Sequence, residues 1–279
     1  MDYNLALLLV FGGAGTLFFL VLFANEYLQR VRIREIDRLP FSESYETIIA
    51  KTPYYPRLTP KDRERIRRSI LRFIHTKEFV GIHLRITDEI KVLIAFYACL
   101  LLMRKQTENC YDNLKTIIVY PHAVMIDEVK SYGGIYTKER FVIQGQSADE
   151  TVVITWNEAK KESYHMRHNN VIIHEFAHEI DFMDGQIDGI PPIEHSKYDG
   201  WVHTFEHEFQ TLNNIAIKNR GWGKYKLLGA YAASNEAEFF AVVTERFFET
   251  PGSLKHHFPE LYEELREFYR IDTAEMFSG

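Results

Sequence analysis

The run Val171-Ile172-Ile173-His174-Glu175-Phe176-Ala177-His178-Glu179-Ile180-Asp181 constrains this chain more than any other stretch. It holds no glycine or proline, and Ile172, Ile173, Phe176, Ala177 and Ile180 recur at helical spacing, which predicts a helix seated against a core. Residues four apart share a helix face, so His174 and His178 present two imidazoles to one point. Glu175 can reach a water held at that point without itself being a ligand, which is the division of labour of a zinc hydrolase. A catalytic zinc needs a third protein ligand, and it must come from elsewhere in the chain.

Three carboxylates compete for that place. Asp181 and Asp184 follow His178 closely, but a ligand at 184 needs a sharp turn at 181, where glycine turns well and aspartate poorly. Asp181 reads instead as an acceptor for the second ring nitrogen of a ligand histidine, or as a continuation of the helix. Glu238 stands in a predicted helix over 234–248, followed by Phe239-Phe240-Ala241-Val242-Val243. A carboxylate among such residues needs a strong partner, because burying an unpaired charge is costly. A metal ion supplies one, and Glu238 is the expected third ligand. His203 and His207 also have helical spacing, but no glutamate follows His203 and their helix, over 201–212, is heavily charged. They read as a solvated face.

Residues 3–24 carry no charge and, as a helix, would rise about 33 Å against a hydrocarbon core of roughly 30 Å, which predicts a transmembrane anchor. Only Asp2 precedes it, whereas Arg30, Arg32, Arg34 and Arg38 follow, so the rest of the chain is expected on the cytoplasmic side of the inner membrane, single-pass. The basic start and small-residue cleavage site of a secretory signal are missing. Pro40, Pro53 and Pro56 punctuate residues 25–57, predicting a juxtamembrane helix and then an extended linker. Thr59 before Pro60 predicts a capped helix carrying Ile66, Ile70, Phe73 and Ile74, and Thr87 caps a second, apolar helix over 90–103. These form an expected helical subdomain over 58–112. Cys99 and Cys110 read as buried thiols of a reducing compartment.

The catalytic part is expected over 113–279. Thr116-Ile117-Ile118-Val119-Tyr120, Phe141-Val142-Ile143 and Thr151-Val152-Val153-Ile154-Thr155-Trp156 are rich in β-branched and aromatic residues and predict one small sheet. Residues 151–156 are its candidate edge for pairing with an extended peptide. The fold class is therefore α+β, mainly helical, with one N-terminal transmembrane helix. A net charge of −6 leaves no footprint for nucleic acid.

His174-Glu175-Phe176-Ala177-His178, Tyr231-Ala232-Ala233 and Ala237-Glu238-Phe239-Phe240-Ala241-Val242 together resemble the Mlc titration factor A family of zinc-dependent peptidases, whose catalytic region is similar to that of anthrax lethal factor. The likeness runs from about residue 58 to about residue 269. It implies a zincin-like core and one Zn2+ per chain held by His174, His178 and Glu238. It further implies Glu175 as general base and Tyr231 as a phenol that stabilises the oxyanion, with peptides or proteins as substrates. Tyr231 and Glu238 keep the family's seven-residue separation. The family's known partner, a glucose-responsive transcriptional repressor, implies the alternative: a membrane-tethered regulatory protein that binds a partner with little or no proteolysis.

Overall fold

The computed structural model describes residues 3–105, 111–122, 124–132, 135–143, 150–166 and 169–277, with side chains described outside 3–10, 12–14, 124–132 and 135–143. The chain divides into two compact units, Met1–Pro40 and Phe41–Gly279. The first is one helix, α1 (Tyr3–Asp37), which runs without a break from the apolar stretch through the arginines. Among the described residues no helix is long and apolar enough to cross a membrane, so the span expected over 3–24 is not seen there. The reason is local. The side chains of 3–10 and 12–14, which carry half of the apolar expectation, lie outside the described residues, and from Glu26 onward α1 is charged.

The second unit begins earlier than the prolines suggest. Residues 41–57, expected as an extended linker, contain α2 (Glu43–Ile49) and a short 3-10 turn at Tyr55–Arg57. Ile49, Tyr54, Tyr55 and Leu58 are buried in the main core, so this stretch packs rather than spaces. Next come α3 (Pro60–Thr76), β1 (Glu78–Gly81) and α4 (Asp88–Leu101). The predicted caps are present: Thr59 Oγ1 accepts from Asp62 N at 3.2 Å and Thr87 Oγ1 from Ile90 N at 3.4 Å. Because α4 is apolar all round, it can only be a central helix, and every residue from Val92 to Leu101 is buried. Cys99 is buried on it, as expected, while Cys110 lies outside the described residues.

β2 (Thr116–Tyr120), β3 (Val124–Tyr132), β4 (Ile135–Ile143) and β5 (Thr151–Thr155) follow. The order β1-β2-β5 makes a three-stranded parallel sheet, with Thr116 beside Thr151 and Tyr120 beside Thr155. One expectation needs correcting, and one strand was not expected. Phe141, Val142 and Ile143 belong to β4, which among the described residues pairs with β3 alone in a separate antiparallel hairpin, Val124 opposite Ile143. A strand's composition marks it as a strand without naming its partner. β1 went unpredicted, since its four residues are too few to show an alternation. Sheet order leaves β5 at an edge, as expected.

The remainder is helical: α5 (Trp156–Ser163), α6 (Val171–Asp181), α7 (His195–Lys218), α8 (Glu236–Glu249), α9 (Pro251–His257), α10 (Pro259–Tyr269) and α11 (Thr273–Phe277). The unit is thus α+β and mainly helical. α6 lies against α4, β5 and α8, and Phe176 anchors it by edge contacts with Tyr111 and Phe73 at 4.9 and 5.7 Å. One helix face is in this way locked into the core, which leaves the histidine face to meet α8.

Candidate metal centre

Two helices build the site, and both begin on an asparagine cap. Asn170 Oδ1 accepts from Ile173 N at 3.2 Å at the start of α6, and Asn235 Oδ1 accepts from Glu238 N at 2.9 Å at the start of α8. The second cap places Glu238 in the first turn of α8, within reach of the histidines on α6. His174 Nε2 lies 3.1 Å from Glu238 Oε2 and 3.3 Å from His178 Nε2, and His178 Nε2 lies 3.5 Å from the same carboxylate oxygen. Among the described residues these three form the one group that could hold a metal ion.

The spacing fits a metal well. Four ligands about 2.0–2.1 Å from a tetrahedral ion stand about 3.3–3.4 Å from one another, and the three separations bracket that value. Two imidazole nitrogens and one carboxylate oxygen are also a donor set that suits a borderline-soft divalent ion and leaves a position open.

The sequence did not single out Glu245. It stands on α8 seven residues beyond Glu238, hence on the same face, and its Oε1 lies 3.2 Å from His174 Nδ1. For His174 it takes the acceptor role that was one of the two readings of Asp181, while Asp181 continues α6 as its last residue, as the other reading had it. The i+7 spacing of Glu245 from Glu238 inside an apolar helix was the available signal. Asp181 is fully buried and accepts from Gly189 N at 2.9 Å through Oδ2, fixing the loop after α6. Its Oδ1 and His178 Nδ1 are both buried without a hydrogen-bond partner among the described residues. Asp184 turns away in a 3-10 turn and caps Gln186 N at 3.1 Å, as its place after a turn-poor Asp181 implied. His203 and His207 are exposed on α7 and form no three-ligand group among the described residues.

The charges at the centre are mutually dependent. Burial alone would lower the His174 imidazole, but the carboxylates of Glu238 and Glu245 override it and push it up to about 10. Burial opposes ionisation of Glu238, yet its hydrogen bonds to His174 and His178 hold it well below the usual carboxylate range. Glu175 is 3% exposed, and burial pushes its carboxyl up to about 8 against the pull of His174, with Glu238 and Glu245 adding repulsion. Tyr231 begins a 3-10 turn, with its ring 5.9 Å from that of His174. Partial burial and the Glu238 carboxylate raise its phenol well above the ordinary value, so it stays a donor. All five expected residues line one cleft of about 650 Å³, into which Thr155 at the end of β5 also opens.

The family profile described as glucose-regulated metallo-peptidase M90 matches residues 27–270. The chain belongs to this family. The M90 match starts well before residue 58, where the resemblance was expected to begin, and includes the buried 41–57 stretch. The chain is 32% identical over 248 residues to an uncharacterized protein of Synechocystis sp., covering 86% of this chain and 88% of that one. It is 29% identical to Mlc titration factor A of Klebsiella pneumoniae and 30% identical to that of Salmonella typhi, each over 228 residues, covering 80% of this chain and 84% of the relative. For this M90 chain the metallopeptidase family and the ligand geometry agree. Glu245→Gln is expected to weaken metal affinity about 10–100-fold by loosening the His174 ring, as measured by competition against a chromogenic chelator. Unchanged affinity would show that the contact with His174 Nδ1 is incidental.

Proposed function

We propose that this protein is a zinc-dependent peptidase with Glu175 as general base. The observation that carries the reading is the convergence of His174, His178 and Glu238 at metal-ligand spacing, with the Glu175 carboxyl buried beside them and opening into the same cleft. Bound to those three side chains, zinc would supply Lewis acidity, activating water and polarising the scissile carbonyl. Every other step falls to the chain. An extended peptide pairs with β5, an edge strand among the described residues, which directs its backbone past Thr155 into the cleft. Glu175 takes the proton of the attacking water and delivers it to the leaving nitrogen. The Tyr231 phenol, half-exposed at the cleft, donates to the carbonyl oxygen as negative charge develops on it. Glu245 keeps the His174 ring in place through Nδ1. The test is loss of peptide hydrolysis in a Glu175→Gln protein that keeps its metal.

The anchor belongs to the same proposal and rests on the sequence. The uncharged stretch 3–24, followed by Arg30, Arg32, Arg34 and Arg38, supports a single-pass tether to the inner membrane with the peptidase unit in the cytoplasm. Membrane fractions of cells making the full chain should hold it through an alkaline carbonate wash, and a variant starting at residue 27 should be released. Recovery of the full chain in the soluble fraction would remove the anchor from the proposal. The name of the Klebsiella and Salmonella relatives supports a second reading, in which the cleft unit acts chiefly by binding a regulatory protein.

A further inference from the structure

Away from the metal ligands, a second concavity of about 210 Å³ lies between α7, the first turns of α8 and the loop after α6. Its apolar floor is aromatic. Phe239 meets Phe205 and Phe209 edge-on, with ring centres 5.9 and 5.7 Å apart, and half-buried Val202 and Ile190 form the sides. The loop wall is built in place. Gly189 donates to Asp181 Oδ2 at 2.9 Å and has φ +79°, and a Cβ there would come within 2.6 Å of the Glu236 carbonyl oxygen. A wall that only glycine can complete is a preformed wall. The rim carries three exposed carboxylates, Asp188, Glu206 and Glu236, and among the described residues no basic side chain lines the groove.

We propose that this groove is a docking site for a protein partner that offers an apolar side chain flanked by lysine or arginine. The size argues for a side-chain anchor, because about 210 Å³ falls below the roughly 300–1,000 Å³ of small-molecule sites but suits one buried residue of a peptide. The rim argues for the charge. Three carboxylates around an apolar floor attract cationic flanks, reject acidic ones and repel an anionic lipid surface. The groove uses none of the metal ligands, so this inference stands independently of the proposed peptidase chemistry.

The experiment uses the full chain carrying Glu175→Gln, so that no probe is cut, and three fluorescein-labelled peptides of one Gly-Ser frame with central Lys-Leu-Phe-Lys, Glu-Leu-Phe-Glu or Lys-Ser-Ser-Lys. Fluorescence anisotropy should show the first bound at least tenfold tighter than the other two. Val202→Arg, which fills the groove, should weaken it at least tenfold. Because that variant can also disturb packing, the surface pair Glu206→Gln with Glu236→Gln is the second arm, expected to weaken binding at least threefold and to flatten its salt dependence. Glu260→Gln, an exposed carboxylate on α10, should leave binding unchanged. Equal affinity for all three peptides would overturn the proposal, as would binding indifferent to the groove variants, which would put the cationic peptide in the metal cleft. A groove variant that instead abolished self-association in sedimentation would give the site to a second copy of the chain and overturn it equally.

Discussion

Glu175→Gln is expected to lower peptide hydrolysis about 10²–10⁴-fold while the protein retains one equivalent of zinc. That loss corresponds to about 3–5 kcal/mol of transition-state stabilisation, the amount one positioned proton acceptor supplies. Glutamine keeps the shape of the side chain and its packing in α6, so the helix and its two histidines stay in place. The amide cannot take a proton from water, and only that step is removed. A second readout separates this from general damage. In the folded, metal-free chain, burial pushes the Glu175 carboxyl up to about 8. At pH values above that the ionised group destabilises the native state, so the neutral amide should raise Tm, by roughly 2–4 °C for each kcal/mol recovered. Lower activity with higher stability is the pattern of a functional group held against its own preference. Full residual hydrolysis by the variant, with zinc still bound, would remove Glu175 from the role of base.

What the sequence made legible depended on how local the cause was. His174, Glu175 and His178 share one helical turn and a half, and their geometry follows from the 3.6-residue period alone. Glu238 was readable because a carboxylate among Phe239, Phe240 and Ala241 demands a partner. Glu245 obeys the same logic on the same face of α8, but nothing in its immediate neighbours distinguishes it from Glu249, whose carboxylate instead accepts from Tyr54 and Asn170. Only the packing of α6 on α8 separates the two roles. The sheet failed for a related reason: β2 and the Phe141-Val142-Ile143 end of β4 are similar in composition, yet β2 pairs in parallel across sequence and β4 folds back on β3. The 41–57 stretch shows that prolines mark bends and not domain boundaries, since Tyr54 and Tyr55 between them are core residues. Pairing partners and burial are tertiary properties, and no local pattern encodes them.

Removing the metal is expected to leave a protein whose stability falls as pH rises, and to do so through His174. In the metal-free fold a proton on this imidazole balances the carboxylates of Glu238 and Glu245, which push its pKa from 6.5 up to about 10. A folded pKa above the unfolded one contributes stability that is complete below about 6.5 and lost as pH rises through about 10. Glu175, pushed up to about 8, and Asp181, pushed up to about 7 by burial, act in the same direction over lower ranges, because each must ionise in the fold at a cost that the unfolded chain does not bear. Glu238 acts oppositely: its depressed pKa contributes stability above the ordinary carboxylate range and loses it in acid. The metal-free chain should therefore be most stable in mildly acidic solution and lose stability progressively toward pH 10. A bound metal ion would change the sign of the problem. It would replace the His174 proton as the counter-charge, and a site that binds metal only when its ligands are deprotonated gains affinity over the same range in which the free protein weakens. Thermal unfolding of chelator-treated and zinc-reconstituted protein between pH 5.5 and pH 10 should consequently diverge, with the gap in Tm widening toward alkaline pH. Parallel profiles would mean that the proton on His174 and the metal do not compete for the same place among these carboxylates.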